Sequence, residues 1–146
     1  MEQTDKTCPI ELPVGEALKL SCVADLMTSN VMTLKPNNSF ADVVQLMANH
    51  HFHHCLVVND SQQLVGVVSD RDVLRGLSRT ANWQTKAVSE IMTPDPTTVK
   101  SKTPISDAIA KMVAQGIHCL PVIDDGGFIC GILTSTDLLK SCQSRF

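Results

Sequence analysis

Two short runs set a hydroxyl and a carboxylate at the same spacing. Ser69-Asp70-Arg71-Asp72 and Thr134-Ser135-Thr136-Asp137 each place Ser or Thr three residues before Asp, and a glycine, Gly66 or Gly131, stands three residues upstream of each. Ser/Thr-x-x-Asp is capping-box spacing, with Asp in place of the commoner Glu, and a helix cap alone explains it. The glycines ask for more, because glycine weakens a strand unless another backbone or a ligand must come close. The first-turn amides and dipole of a helix entered there also favour a phosphate. Arg71 gives the first run a permanent cation suited to phosphate oxygens, whereas Thr136 gives the second none. The cleft at Asp72 is therefore expected to bind an anion more strongly. Arg75 and Arg79 continue the same helical spacing and are expected on a solvated face.

His50, His51, His53 and His54 form the other conspicuous cluster. Strand alternation separates His53 from His54, and the pair at 50 and 51 ends a preceding helix, so the four do not converge on one metal. No nucleophile has a base at a diagnostic spacing, and no catalytic set is expected.

These groups sit in a sequence that repeats itself. Residues 23–75 align without a gap on 88–140 at a constant offset of 65, with 13 of 53 pairs identical, among them Asp42 on Asp107, Met47 on Met112 and His53 on His118. Such a repeat implies one shared backbone and a pseudo-twofold body with two related clefts. Within repeat one, VMTL (31–34) reads as a short strand, and Phe40, Val43, Val44 and Met47 follow at amphipathic-helix spacing. Ile105, Ala108, Ile109 and Met112 hold the same frame in repeat two. Thr103 before Pro104 reads as an N-cap followed by proline at the first helical position, and Asn38 or Ser39 caps the earlier helix. Two hairpins follow, 55–58 with 63–68 and 120–123 with 128–133, and Ser69 and Thr134 open a second helix in each repeat. The order is β-α-β-β-α, twice, with an N-terminal segment (1–22), a polar connector (76–87) carrying Trp83, and a tail (141–146).

The chain has 146 residues, whereas a single repeat of 53 lies near the lower limit of independent stability, so the repeats are expected to share one core. A net charge of −3 provides no footprint for nucleic acid or an anionic membrane. No apolar run approaches the roughly 20 residues of a spanning helix, and the opening lacks the pattern of a signal peptide, which suggests a cytoplasmic protein. The six cysteines include no C-x-x-C pair, so structural disulfides are not expected. Lack of Tyr and a single Trp argue against an aromatic platform for bases.

Gly66-Val67-Val68-Ser69-Asp70-Arg71-Asp72 and Gly131-Ile132-Leu133-Thr134-Ser135-Thr136-Asp137 resemble the adenosine-nucleotide signature of cystathionine β-synthase (CBS) domains. The openings D-L-M-T and E-I-M-T, and the passages Phe52-His53-His54 and Ile117-His118-Cys119-Leu120-Pro121-Val122, also look like that family. The resemblance covers 23–140 and implies a tandem pair of the stand-alone bacterial type, a Bateman module of α/β (α+β) class whose two repeats pack through their sheets. It further implies that the signature Asp binds ribose hydroxyls, that Ser or Thr helps hold ribose or phosphate, and that backbone of the other repeat grips adenine. One cleft would join Ser69, Arg71 and Asp72 to Met92, Pro96, Thr97, Ile117 and His118. Its twin would join Thr134, Thr136 and Asp137 to Met27, Val31, Met32, Phe52 and His53.

The function so implied is a non-catalytic sensor of AMP, ADP or ATP that requires no cofactor and signals to a separate partner protein. A homodimer is expected, because the helical faces bearing Val43, Met47, Ala108 and Met112 need cover. The alternatives are a docking scaffold with empty clefts, and a different ligand: S-adenosylmethionine, another adenosyl compound, or a metal at the histidines.

Overall fold

The computed structural model describes residues 21–50 and 52–143. Cys8, His51 and the ends of both terminal segments lie outside the described residues. The elements are α1 (Val23–Leu26), β1 (Thr33–Leu34), α2 (Phe40–His50), β2 (His54–Val58), β3 (Leu64–Ser69) and α3 (Asp70–Arg79), then β4 (Thr93–Pro94), α4 (Ile105–Gln115), β5 (Cys119–Ile123), β6 (Ile129–Thr134) and α5 (Ser135–Gln143). The fold is the expected mixed α+β architecture, and the bounds of α2, β2 and β3 recur at the offset of 65 in α4, β5 and β6.

Each repeat completes its sheet with a piece of the other. β1, β2, β3 and β4 form one sheet in that order, with β1 parallel to β2 and the other pairs antiparallel. Its edge strand β4 belongs to repeat two. Reciprocally, Thr28 of repeat one bridges Ile132 on the edge of the β5–β6 sheet, while Val99 supplies a one-residue parallel bridge to Val122. The openings follow the same exchange: the Val23 and Ala24 amides donate to the Thr103 and Ser101 carbonyls, and those of Val88 and Ser89 donate to Asn38 and Pro36.

That exchange divides the interior. Val23 is buried with Ile105, Leu120, Val122 and Leu133 of repeat two, and Val88 with Phe40, Val43, Val57 and Val68 of repeat one. A third, smaller cluster of Leu56, Cys119 and Ile132 lies where the sheets face each other. The expectation of one shared core is thus replaced by two cores, each containing the other repeat's opening, and a thin seam. Neither repeat closes its core alone, which fits the small size of each.

Local differences from the sequence reading have local causes. Pro104, with ψ 142°, is itself the cap residue of α4, and Thr103 Oγ1 instead accepts the Lys100 amide at 3.1 Å to close the preceding turn. Ser39, rather than Asn38, caps α2: its hydroxyl accepts the Asp42 amide and Asp42 accepts the Ser39 amide. Trp83 in the connector packs on Phe40 with ring centroids 5.4 Å apart, joining the core of repeat one. Val43, Ala108 and Met112 are buried within the chain and Met47 is half-buried, so these faces do not await a partner. The exposed large apolar residues are others, including Leu74 (65%), Leu139 (68%) and Val113 (76%). Among the described residues, no helix is long and apolar enough to cross a membrane.

Candidate functional site

Both capping boxes form, and they fix the two carboxylates. Ser69 Oγ accepts the Asp72 amide at 3.1 Å, and Asp72 Oδ2 accepts the Ser69 amide at 2.9 Å and its hydroxyl at 3.0 Å. The matching distances at Thr134 and Asp137 are 3.2, 2.8 and 2.9 Å. One carboxylate oxygen of each Asp is thereby committed to its cap. The second oxygen differs: Asp72 Oδ1 accepts Arg75 Nη1 at 3.1 Å, whereas Asp137 Oδ1 accepts the Thr28 hydroxyl at 2.9 Å. Arg75 is thus engaged at the cleft's carboxylate and not merely solvated.

Each box opens on a cleft at the boundary between the repeats. The cleft at Asp72, about 520 Å³, brings together Ser69, Arg71 and Asp72 with Pro96, Thr97, Ile117 and His118, all foreseen in the sequence. The cleft at Asp137, about 600 Å³, brings together Thr134, Thr136 and Asp137 with Val31, Met32, Phe52 and His53, again as foreseen. Met92 and Met27, the matched remaining candidates, line neither cleft. They pack instead over the signature glycines: a Cβ at Gly66 would meet Met92 Sδ at 2.5 Å, and one at Gly131 would meet Met27 Sδ at 2.9 Å and the Thr28 carbonyl at 2.8 Å. Each glycine therefore admits the other repeat's edge segment, with its methionine as the plug.

The clefts also contain groups that the sequence reading passed over. Asp70 and Asp95 line the Asp72 cleft, so with Arg75 paired to Asp72 the lining guanidinium of Arg71 stands in a cleft of three carboxylates. Lys140 lines the Asp137 cleft and sets one ammonium against one carboxylate. The expectation that only the Asp72 cleft offers a fixed cation therefore fails; Lys140 lies one helical turn beyond Asp137, a spacing that points both along one helix face.

Histidines join the two clefts. His54 and His118 line both. The His53 and His118 carbonyls accept the first amides of α3 and α5, from Asp70 and Ser135, each at 2.9 Å. Their rings reach the same two residues, His53 Nδ1 to Asp70 Oδ2 at 3.1 Å and His118 Nδ1 to Ser135 Oγ at 3.3 Å. Burial holds the His54 imidazole below its ordinary value of 6.5; Asp70 and Asp72 oppose this, while His53 and His118 reinforce it. Among the described residues, no group of three or more His, Cys, Asp or Glu is disposed to hold a metal. Burial pushes the thiols of Cys55 and Cys119 up to about 11 and about 12, which leaves both protonated and poorly nucleophilic near neutral pH.

A family model described as CBS domain matches residues 23–79 and again 88–144. The chain belongs to the CBS domain family. Among solved structures, this CBS pair is similar to the CBS domain pair of protein MJ0100 in complex with 5-methylthioadenosine and S-adenosyl-L-methionine, at 25% identity and a TM-score of 0.79, covering 86% of this chain and 98% of that one. It is also similar to CBSX2 in complex with AMP, at 31% identity and a TM-score of 0.75, covering 84% and 96%; CBSX2 is a CBS-pair protein from Arabidopsis thaliana. A homoserine O-acetyltransferase of Methanocorpusculum labreanum is 33% identical over 128 residues, 88% of this chain and 26% of that protein. The CBS pair spans 61% and 41% of two further curated relatives, from Methanopyrus kandleri and Methanocaldococcus jannaschii.

Proposed function

We propose that this CBS pair is a non-catalytic, cytoplasmic sensor of adenine nucleotides (AMP, ADP or ATP), which it binds in the clefts between its repeats and reports to a separate protein. The observation that carries this reading is the repeated cleft itself: a capped helix start presents a carboxylate beside imidazoles and one cation, in a volume suited to a small ligand. The AMP complex of CBSX2 supports the ligand class. The free cysteines Cys22, Cys55, Cys119, Cys130 and Cys142 fit a reducing compartment.

Charge favours a division between the clefts. The Asp137 cleft, with Lys140 and three histidines, suits phosphate; the Asp72 cleft, with three carboxylates, suits an uncharged or cationic adenosyl compound such as a thioether or sulfonium. The ligands of the MJ0100 pair support this second reading. The sensor works as a homodimer in this proposal, with the matched exposed Leu74 and Leu139 as the apolar surface to be covered.

The direct test is to purify the protein, denature it and identify the released small molecules by mass spectrometry. Stoichiometric adenine nucleotide supports the sensor. A scaffold with empty clefts would release nothing and would show no uptake of added AMP, ATP or S-adenosylmethionine.

A further inference from the structure

Asp137 is held from both repeats. Its Oδ2 takes the amide and hydroxyl of Thr134 at 2.8 and 2.9 Å, and its Oδ1 takes the hydroxyl of Thr28, 109 residues away, at 2.9 Å. Thr28 is anchored, since its amide and carbonyl pair with Ile132 at 2.8 and 2.9 Å and its carbonyl lies over Gly131. Both Thr28 and Asp137 line the larger cleft. With Oδ2 taken twice by the cap, Oδ1 is the oxygen left to receive a ligand hydroxyl, and Thr28 already takes one of its two acceptor positions. The other cleft is built differently. Asp72 Oδ1 is held by Arg75 of its own helix, and among the described residues no hydrogen bond joins Thr93, the counterpart of Thr28, to Asp72.

We propose that the Thr28–Asp137 hydrogen bond is a latch across the repeat boundary, which a ligand hydroxyl opens by replacing Thr28 on Asp137 Oδ1. The idea rests on the adenosine-ligand reading above, because a ribose supplies the hydroxyls. A ligand shifts an arrangement only by interacting differently with its two states, and exchange of an inter-repeat bond for a protein–ligand bond is such a difference. Occupancy of the Asp137 cleft therefore loosens the seam between repeats, whereas occupancy of the Asp72 cleft exchanges a bond within one helix. Thr28 is in this account a positioning residue that weakens binding in exchange for a signal.

Thr28→Val tests this, since it keeps the β-branched shape at the sheet edge and removes the hydroxyl. In an Asp72→Asn background, AMP titrated calorimetrically should bind Thr28→Val about tenfold more tightly than the parent, the lower end of the range for one released hydrogen bond to a charged group. A double-mutant cycle of Thr28→Val and Asp137→Ala, followed by thermal unfolding without ligand, should be non-additive; cap loss cancels in the cycle. The deficit in Tm of Thr28→Val should then close at saturating AMP. An additive cycle, or AMP affinity unchanged or reduced by Thr28→Val, overturns the latch. Failure of the unaltered protein to bind AMP would count against the nucleotide reading instead, with the cycle still deciding whether the latch exists.

Discussion

The two clefts share a backbone and differ in how their carboxylates are held. At Asp72 the second carboxylate oxygen pairs with Arg75 on the same helix, amid Asp70 and Asp95; at Asp137 it pairs with Thr28 from the other repeat, near Lys140. A duplicated fold thus conserves its capping geometry while charge and connectivity are free to diverge around it. Geometry alone makes the clefts equivalent, and the side chains one helical turn away make them unequal.

The largest expected effect lies at the glycines behind the clefts. Gly131→Ala should destabilise the protein by about 3 kcal/mol, because its Cβ would meet the Thr28 carbonyl, a backbone atom fixed in the sheet. Gly66→Ala should cost only about 1 kcal/mol, since its closest neighbour is the flexible end of Met92, with the Thr93 carbonyl at 3.1 Å. Denaturant unfolding measures both. Equal losses would mean that the two seams are interchangeable.

A smaller effect separates the cations. Lys140→Ala should weaken AMP binding about fivefold, with a reduced response to salt, while Arg71→Ala, removing a guanidinium from a cleft that three carboxylates also line, should change it less than twofold. The opposite order in calorimetric titration would restore Arg71 as the principal phosphate contact and reverse the comparison.

The smallest effect is a pH dependence that belongs to both clefts through His54. Because burial lowers its folded-state value, the unfolded chain takes up the proton first as pH falls below 6.5. His54 therefore contributes no pH dependence well above 6.5 and progressive destabilisation below it, until the folded form also protonates. The groups facing it are Asp70, His53, His118 and Asp72. His54→Gln should flatten part of the fall in Tm between about pH 7.5 and pH 5.5 that the parent shows. An unchanged acid limb would assign the effect elsewhere.

Much of this was legible in the sequence because it is local. The i, i+3, i+4, i+7 frame at Phe40 and Ile105, the hydroxyl–carboxylate boxes, and the offset that pairs them specify α2, α4, both caps and the existence of two clefts. What the sequence did not disclose is which repeat each opening packs into. Val23 and Val88 each stand four residues before a methionine in similar contexts, VADLMT and VSEIMT, and nothing in their spacing says that each is buried in the other repeat's core. Met27 and Met92 look like cleft residues by their place in the motif, yet their sulfurs fill the space that the glycines vacate. Lys140 and Thr28 were missed for the same reason: their roles depend on where a helix face and an exchanged edge end up, 109 residues apart in the case of Thr28 and Asp137.

In the proposed function this CBS pair binds adenine nucleotides unequally, with the Asp137 cleft dominant. Calorimetric titration of AMP into the parent, Asp72→Asn and Asp137→Asn tests it, since Asn leaves the capping hydroxyls of Ser69 and Thr134 in place while removing the carboxylate proposed to meet the ribose. The account predicts that Asp137→Asn loses the tighter phase and that Asp72→Asn leaves it nearly intact. Loss of the tighter phase in Asp72→Asn alone, with Asp137→Asn binding like the parent, would contradict it.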